Sequence, residues 1–166
     1  MADFDEAIRT TLAHEGGGRH TNDPDDRGGE TRYGISRRAY PHLDIANLSE
    51  QKARDIYRRD YWERIGGDRI HSQAVAALLL DAAVNMGVRT ASRLAQVALA
   101  VTPADGVIGT ATLTAINARC QGDGEGLFVV RYTILRIARY AEICNRDRGQ
   151  ARFLLGWVNR ALGRVA

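Results

Sequence analysis

A chain of 166 residues is long enough for one sizeable core and short for two independent ones, and its 45% hydrophobic and 26% charged residues describe an ordinary globular protein. The net charge of +3 hides an uneven spread: residues 1–30 carry eight acids against three arginines, and residues 127–166 carry eight arginines against two acids. The most apolar run, residues 72–86, is interrupted by Asp81 and Asn85, so stable membrane insertion is not expected.

The first predicted helix covers residues 3–15. Asp3 stands three residues before Glu6 in the form of a capping box, and Gly16-Gly17-Gly18 supplies a stop that tolerates positive φ. Phe4, Ile8 and Leu12 recur every four residues, the apolar stripe of a helix packed on a core. At about 100° per residue, Glu15 falls within roughly 20° of that stripe, so its side chain is expected to point inward. A carboxyl in apolar surroundings keeps its proton more readily, which is what a general acid needs. In the loop behind it, Asp23, Asp25 and Asp26 are each candidates for the second carboxylate of a glycosidase pair. The same run does not meet the register of a calcium loop.

Thr31, Tyr33 and Ile35 alternate with polar neighbours and predict a short hairpin or extended turn, after which Ser36 caps a short helix stopped by Pro41. A clear helix follows over residues 48–62, with Ser49 as N-cap and Ala53, Ile56, Tyr57 and Tyr61 as its apolar face. Tyr57 is expected in the core, whereas Tyr61-Trp62 offers an aromatic platform for a sugar ring. Residues 72–86 read as a helix apolar on all sides, hence the buried centre of the molecule. Asp81 and Asn85 stand one turn apart on it and require partners; Asp81 is expected to be structural and Asn85 to contact substrate. Another helix covers residues 90–100. The segment from Asp105-Gly106 to Gly109 and Thr112 is a glycine turn leading into a helix, residues 122–126 are expected as a flexible link, and residues 127–144 form a long helix. Cys120 and Cys144 are expected as buried free thiols, since Met1-Ala2-Asp3 does not open a signal peptide.

Phe4, His14-Glu15-Gly16-Gly17, Asn22-Asp23-Pro24 and the run from Asp26-Arg27-Gly28 to Tyr33-Gly34-Ile35 together resemble the start of the glycoside hydrolase family 108 muramidases, phage-type endolysins and related secretion-associated lysozymes. Tyr57 with Tyr61-Trp62, the stretch from Asp81 to Gly87, and Gly156-Trp157 with Asn159-Arg160 are similar to later parts of the same family. Asp105-Gly106, Gly109 and Thr112 are similar to the D-G-x-x-G-x-x-T motif of small peptidoglycan-binding modules, a resemblance that implies a threonine cap on the helix that follows. The resemblance implies a mainly α, lysozyme-like α+β fold: a helical bundle around a buried central helix, with a small β-hairpin beside the catalytic cleft. It divides the chain into a catalytic lobe over residues 1–70 and a helical lobe over residues 71–166, packed as one body. It implies cleavage of peptidoglycan at the β-1,4 bond after N-acetylmuramic acid, with Glu15 as the acid. The order Glu15, Asp26, Thr31 is similar to the catalytic trio of phage lysozymes, at a different spacing. Tyr33, Trp62 and Asn85 complete the candidate site as sugar contacts.

The function expected is therefore that of a muramidase, a phage endolysin for host lysis. No cofactor and no metal are expected, because the four histidines show no H-x-x-H or H-E-x-x-H register. The expected partners are bacterial peptidoglycan and a holin or other release system. The protein is expected as a monomer, made in the host cytoplasm without a signal peptide and acting on the wall after release. Nucleic acid is not expected, since the C-terminal arginines are interspersed with large apolar residues and no recognition helix is evident. The alternatives are a lytic transglycosylase acting on the same bond and a non-catalytic wall-binding or secretion-accessory module.

Overall fold

The computed structural model describes residues 1–22 and 29–163. Among the described residues there are seven α-helices and one small antiparallel sheet. Helix α1 (Phe4–His14) starts where the Asp3 carboxylate accepts a hydrogen bond from the Glu6 amide at 2.8 Å. It ends in a Schellman motif: Gly16 takes the left-handed conformation, its amide bonds to the Ala13 carbonyl at 3.2 Å, and the Gly17 amide bonds to the Leu12 carbonyl at 2.9 Å. Phe4, Ala7, Ile8 and Leu12 are buried, as the stripe predicts.

Strands β1 (His20–Thr21), β2 (Thr31–Arg32) and β3 (Ile35–Ser36) pair in that order, so the expected hairpin gains a third strand. Tyr33 and Gly34 join β2 to β3, both at positive φ (52° and 72°), the two-residue turn whose twist matches that of the strands. The helix expected after Ser36 is instead a single turn, closed by Ala39 and Tyr40 amides on the Ser36 carbonyl. Pro41 cannot donate onward and disfavours helical geometry at the residue before it.

Helix α2 (Glu50–Tyr57) is capped by Ser49, whose hydroxyl accepts from the Lys52 amide at 3.2 Å, and passes directly into a π-helical turn over Arg58–Trp62. Helix α3 (Gln73–Met86), capped by Ser72, packs against α1 and against α4 (Val88–Ala98). Val75, Ala76, Leu79, Leu80, Ala82 and Ala83 on it are fully enclosed, which makes it the centre of the molecule.

Helix α5 (Thr110–Arg119) begins at Gly109, not at a threonine cap. Thr112 is buried, and its hydroxyl accepts from the Gln96 side-chain amide at 3.2 Å. Gln96 also receives the Gly106 amide at 2.8 Å, so the glycine turn is tied to α4 by one buried side chain. The expected link at residues 122–126 is part of helix α6 (Asp123–Arg146). A Cβ on Gly124 would stand 2.3 Å from the Arg119 carbonyl oxygen, so this glycine serves a close helix approach, while Asp123 and Glu125 favour the positive helix end. A 3₁₀ turn leads to helix α7 (Leu154–Ala161), which packs on α6. One continuous cluster of buried side chains runs from Ala2 to Tyr132. Cys120 and Cys144 are free and buried.

Candidate active site

The Schellman motif leaves Glu15 as the C-cap of α1, where it meets groups from α7, the β2–β3 turn and α2. Its Oε1 accepts a hydrogen bond from Nη1 of Arg160, on α7, at 2.7 Å. Its other oxygen lies against the β2–β3 turn: a Cβ on Gly34 would stand 2.5 Å from Oε2 and 2.7 Å from the Tyr57 hydroxyl. Tyr57 donates to the Tyr33 carbonyl at 2.7 Å, pinning that turn. Burial, and after it the charge of Glu15, push the Tyr57 phenol above its ordinary value, so it stays a neutral donor. About 20% of the Glu15 side chain is open to solvent. Its position is thus neither bulk solvent nor a sealed core.

Behind Glu15 runs a chain of paired charges. Arg160 Nε donates to Oδ1 of Asp81 at 2.9 Å, and Arg136 Nη2 donates to Oδ2 at 2.8 Å. His14 Nδ1 lies 3.1 Å from the same Oδ1. Arg136 also donates to the Tyr140 hydroxyl at 3.3 Å, and Tyr140 donates to Oδ1 of Asn85 at 2.6 Å. Two carboxylates therefore face two guanidiniums, the balance that burying such groups requires. Burial alone would raise the Asp81 carboxyl, but the charges of Arg160 and Arg136 and the hydrogen bonds from Arg136 and His14 outweigh it and hold the group below the usual carboxylate range.

The other candidates are distributed unevenly around this centre. Tyr33 is half-buried in the turn that touches Glu15, its ring close over Gly18, where a Cβ would come within 3.0 Å of the phenol oxygen. Thr31 is half-buried on β2 and donates to the Gly29 carbonyl at 3.1 Å. Asn85 is half-buried, with its amide oxygen taken by Tyr140. Asp26, with Asp23 and Asp25, lies outside the described residues. Trp62 requires a correction: it is fully enclosed, edge-on to Phe4 with ring centroids 5.6 Å apart, and its Nε1 donates to Asp68 at 2.8 Å. A Cβ on Gly67 would sit 2.2 Å from its ring, so no face of Trp62 is open to a sugar. The π-helical turn over Arg58–Trp62 explains this, because the extra residue in the turn changes the direction in which Trp62 points.

Two partners of Glu15 were not singled out from the sequence. Arg160 was visible only as the end of the Gly156-Trp157-x-Asn159-Arg160 pattern, and nothing local to it points 145 residues back along the chain. Tyr57 reads as a core residue, and most of its ring is.

Residues 8–87 match the model of the glycosyl hydrolase 108 family. The N-terminal half is a glycosyl hydrolase 108 domain. Residues 87–162 match the model of a predicted peptidoglycan domain. The chain is also similar along its length to Brucella abortus SagA, with a TM-score of 0.71, 27% identity, and 96% of this chain and 93% of that one covered. No curated protein sequence matches the chain. The protein is a glycoside hydrolase, and its target is peptidoglycan. Its charge network crosses the two matched regions: Glu15, Asp81 and Asn85 lie in the hydrolase domain, while Arg136, Tyr140 and Arg160 lie in the peptidoglycan domain.

Proposed function

We propose that this hydrolase is a muramidase that cuts the β-1,4 bond between N-acetylmuramic acid and N-acetylglucosamine, with Glu15 as the general acid. The observation that carries the reading is the setting of Glu15: a carboxyl partly open to solvent, with one oxygen oriented by Arg160 and the other given room by a glycine. A group so oriented loses little freedom when substrate arrives. In the protonated form it delivers its proton to the glycosidic oxygen as the bond to C1 breaks, and a water then adds to C1. Asp26 takes the water's proton or stabilises the developing positive charge. Thr31, whose hydroxyl oxygen keeps acceptor capacity, helps to place the water, and Tyr33 and Asn85 contact the sugar.

The test is Glu15→Gln, which removes the transferable proton at nearly constant size. Clearing of a peptidoglycan suspension should stop while the circular dichroism stays that of the wild type and the melting temperature falls only modestly, through the lost charge opposite Arg160; clearing at the wild-type rate would overturn the assignment. Mass analysis of the wild-type products should show muropeptides that have gained a water. Anhydro sugars would make the enzyme a lytic transglycosylase instead.

The biological role that fits is a phage-type endolysin, acting as a monomer, made in the bacterial cytoplasm and delivered to the wall by a holin or another release system. Its support is the likeness of the Glu15 to Ile35 segment to phage-type endolysins. Co-expression with a holin should lyse the producing cells, and expression without one should leave them intact.

A further inference from the structure

Between α4 and α6 runs a groove of about 730 Å³ whose chemistry the hydrolytic site does not use. Arg89 and Arg93 line it from α4, and Arg139 and Arg146 from α6. The groove lining itself contains one carboxylate, that of Glu142, which Arg139 engages at 2.9 Å, and Asp105 adds a second negative charge near Arg89 at the rim. Arg93 and Arg146 make no hydrogen bond or ion pair among the described residues, and Arg89 has only the charge of nearby Asp105. Leu94, Val97 and Leu135 form an apolar floor, with Val97 exposed to an unusual degree for its type at 48%. Like charges one helical turn apart repel, as Arg89 and Arg93 must, and a bound anion relieves that repulsion.

The Asp105-Gly106 turn also has a place here. The Gly106 backbone lies against Arg89, where a Cβ would stand 2.6 Å from Cγ and 2.7 Å from the Arg89 carbonyl oxygen, so only glycine lets the turn press on that residue. Gln96 holds the turn from beneath. The glycine motif thereby packs against the backbone and the stem of one groove arginine.

We propose that this groove binds the stem peptide of peptidoglycan: a short acidic peptide whose carboxylates meet the arginines and whose alanine methyls lie on the apolar floor. Forked guanidiniums suit carboxylates held in this way. The proposal rests on peptidoglycan as target but not on Glu15, and none of the groove residues belongs to the Glu15 network. It separates binding of the peptide, in the C-terminal region, from cleavage of the glycan.

The experiment is calorimetric titration of the full chain with a purified stem tetrapeptide carrying free carboxylates, with a peptide-free disaccharide of the glycan and a short DNA duplex as the other arms. The tetrapeptide should bind, more weakly as salt is raised, and the double variant R89Q/R93Q should weaken it by about ten-fold or more. Both side chains are exposed, so the variant's melting curve should match the wild type. The proposal is overturned if the tetrapeptide gives no binding heat, if the double variant binds it as the wild type does, or if DNA binds the groove as tightly. No cleavage is read, so failure of Glu15→Gln to stop hydrolysis would leave this result standing.

Discussion

Arg160 Nη1 and Glu15 Oε1 lie 2.7 Å apart although 145 residues separate them, and the same guanidinium reaches Asp81 through Nε at 2.9 Å. One side chain from the last helix thus orients the candidate acid of the first and neutralises a carboxylate of the central one. Arg160→Ala removes a cation from between two carboxylates, at a cost of about 3 kcal/mol in urea unfolding. Arg160→Lys should recover only part of this, because one ammonium does not span both carboxylates as the fork does. The rate of wall clearing by molecules that remain folded should fall for both variants.

Gly34 sets the clearance beside the other oxygen of Glu15. Gly34→Ala places a methyl 2.5 Å from Oε2 at a φ of 72°, so it must displace the carboxyl or the turn. The expected cost is about 1–3 kcal/mol in stability, with a fall in kcat larger than any change in half-saturating wall concentration. Clearing rates measured over a range of peptidoglycan concentrations check this.

Trp62→Phe distinguishes the core from a sugar platform. It should lower stability by about 1–2 kcal/mol, through the lost Asp68 bond and poorer packing, while leaving half-saturation unchanged. A several-fold rise in half-saturation with the fold intact would return Trp62 to the substrate.

Asp81 governs the acid limb of stability. Its folded carboxyl is held below its unfolded value of about 3.9, so its contribution is fully present above that pH and is lost as pH falls towards the folded value. The melting temperature of the wild type should therefore decline below about pH 4. Asp81→Asn should melt lower at neutral pH and show a shallower acid decline, since the group that takes up the proton is gone.

The caps at Asp3, Ser49 and Ser72, the glycine stop after Glu15 and the central helix over residues 73–86 were legible in the chain because each depends on residues a turn or two apart, where apolar periodicity and capping chemistry operate. The fold family was legible for a different reason, the joint spacing of short motifs along nearly the whole length. The misplaced elements share one cause: local rules were overruled by neighbours. Gly124 and Gly126 read as a link but are helical where α6 approaches Arg119, and Trp62 was turned inward by a π-helical turn that no residue type announces. What holds Glu15 was decided only by tertiary structure. The meeting of α1, α3, α6, α7 and the β2–β3 turn brings Arg160 and Gly34 to it and Asp81 behind Arg160, and hydrogen bonds across 67, 79 and 145 residues are set by how helices pack, not by any local pattern.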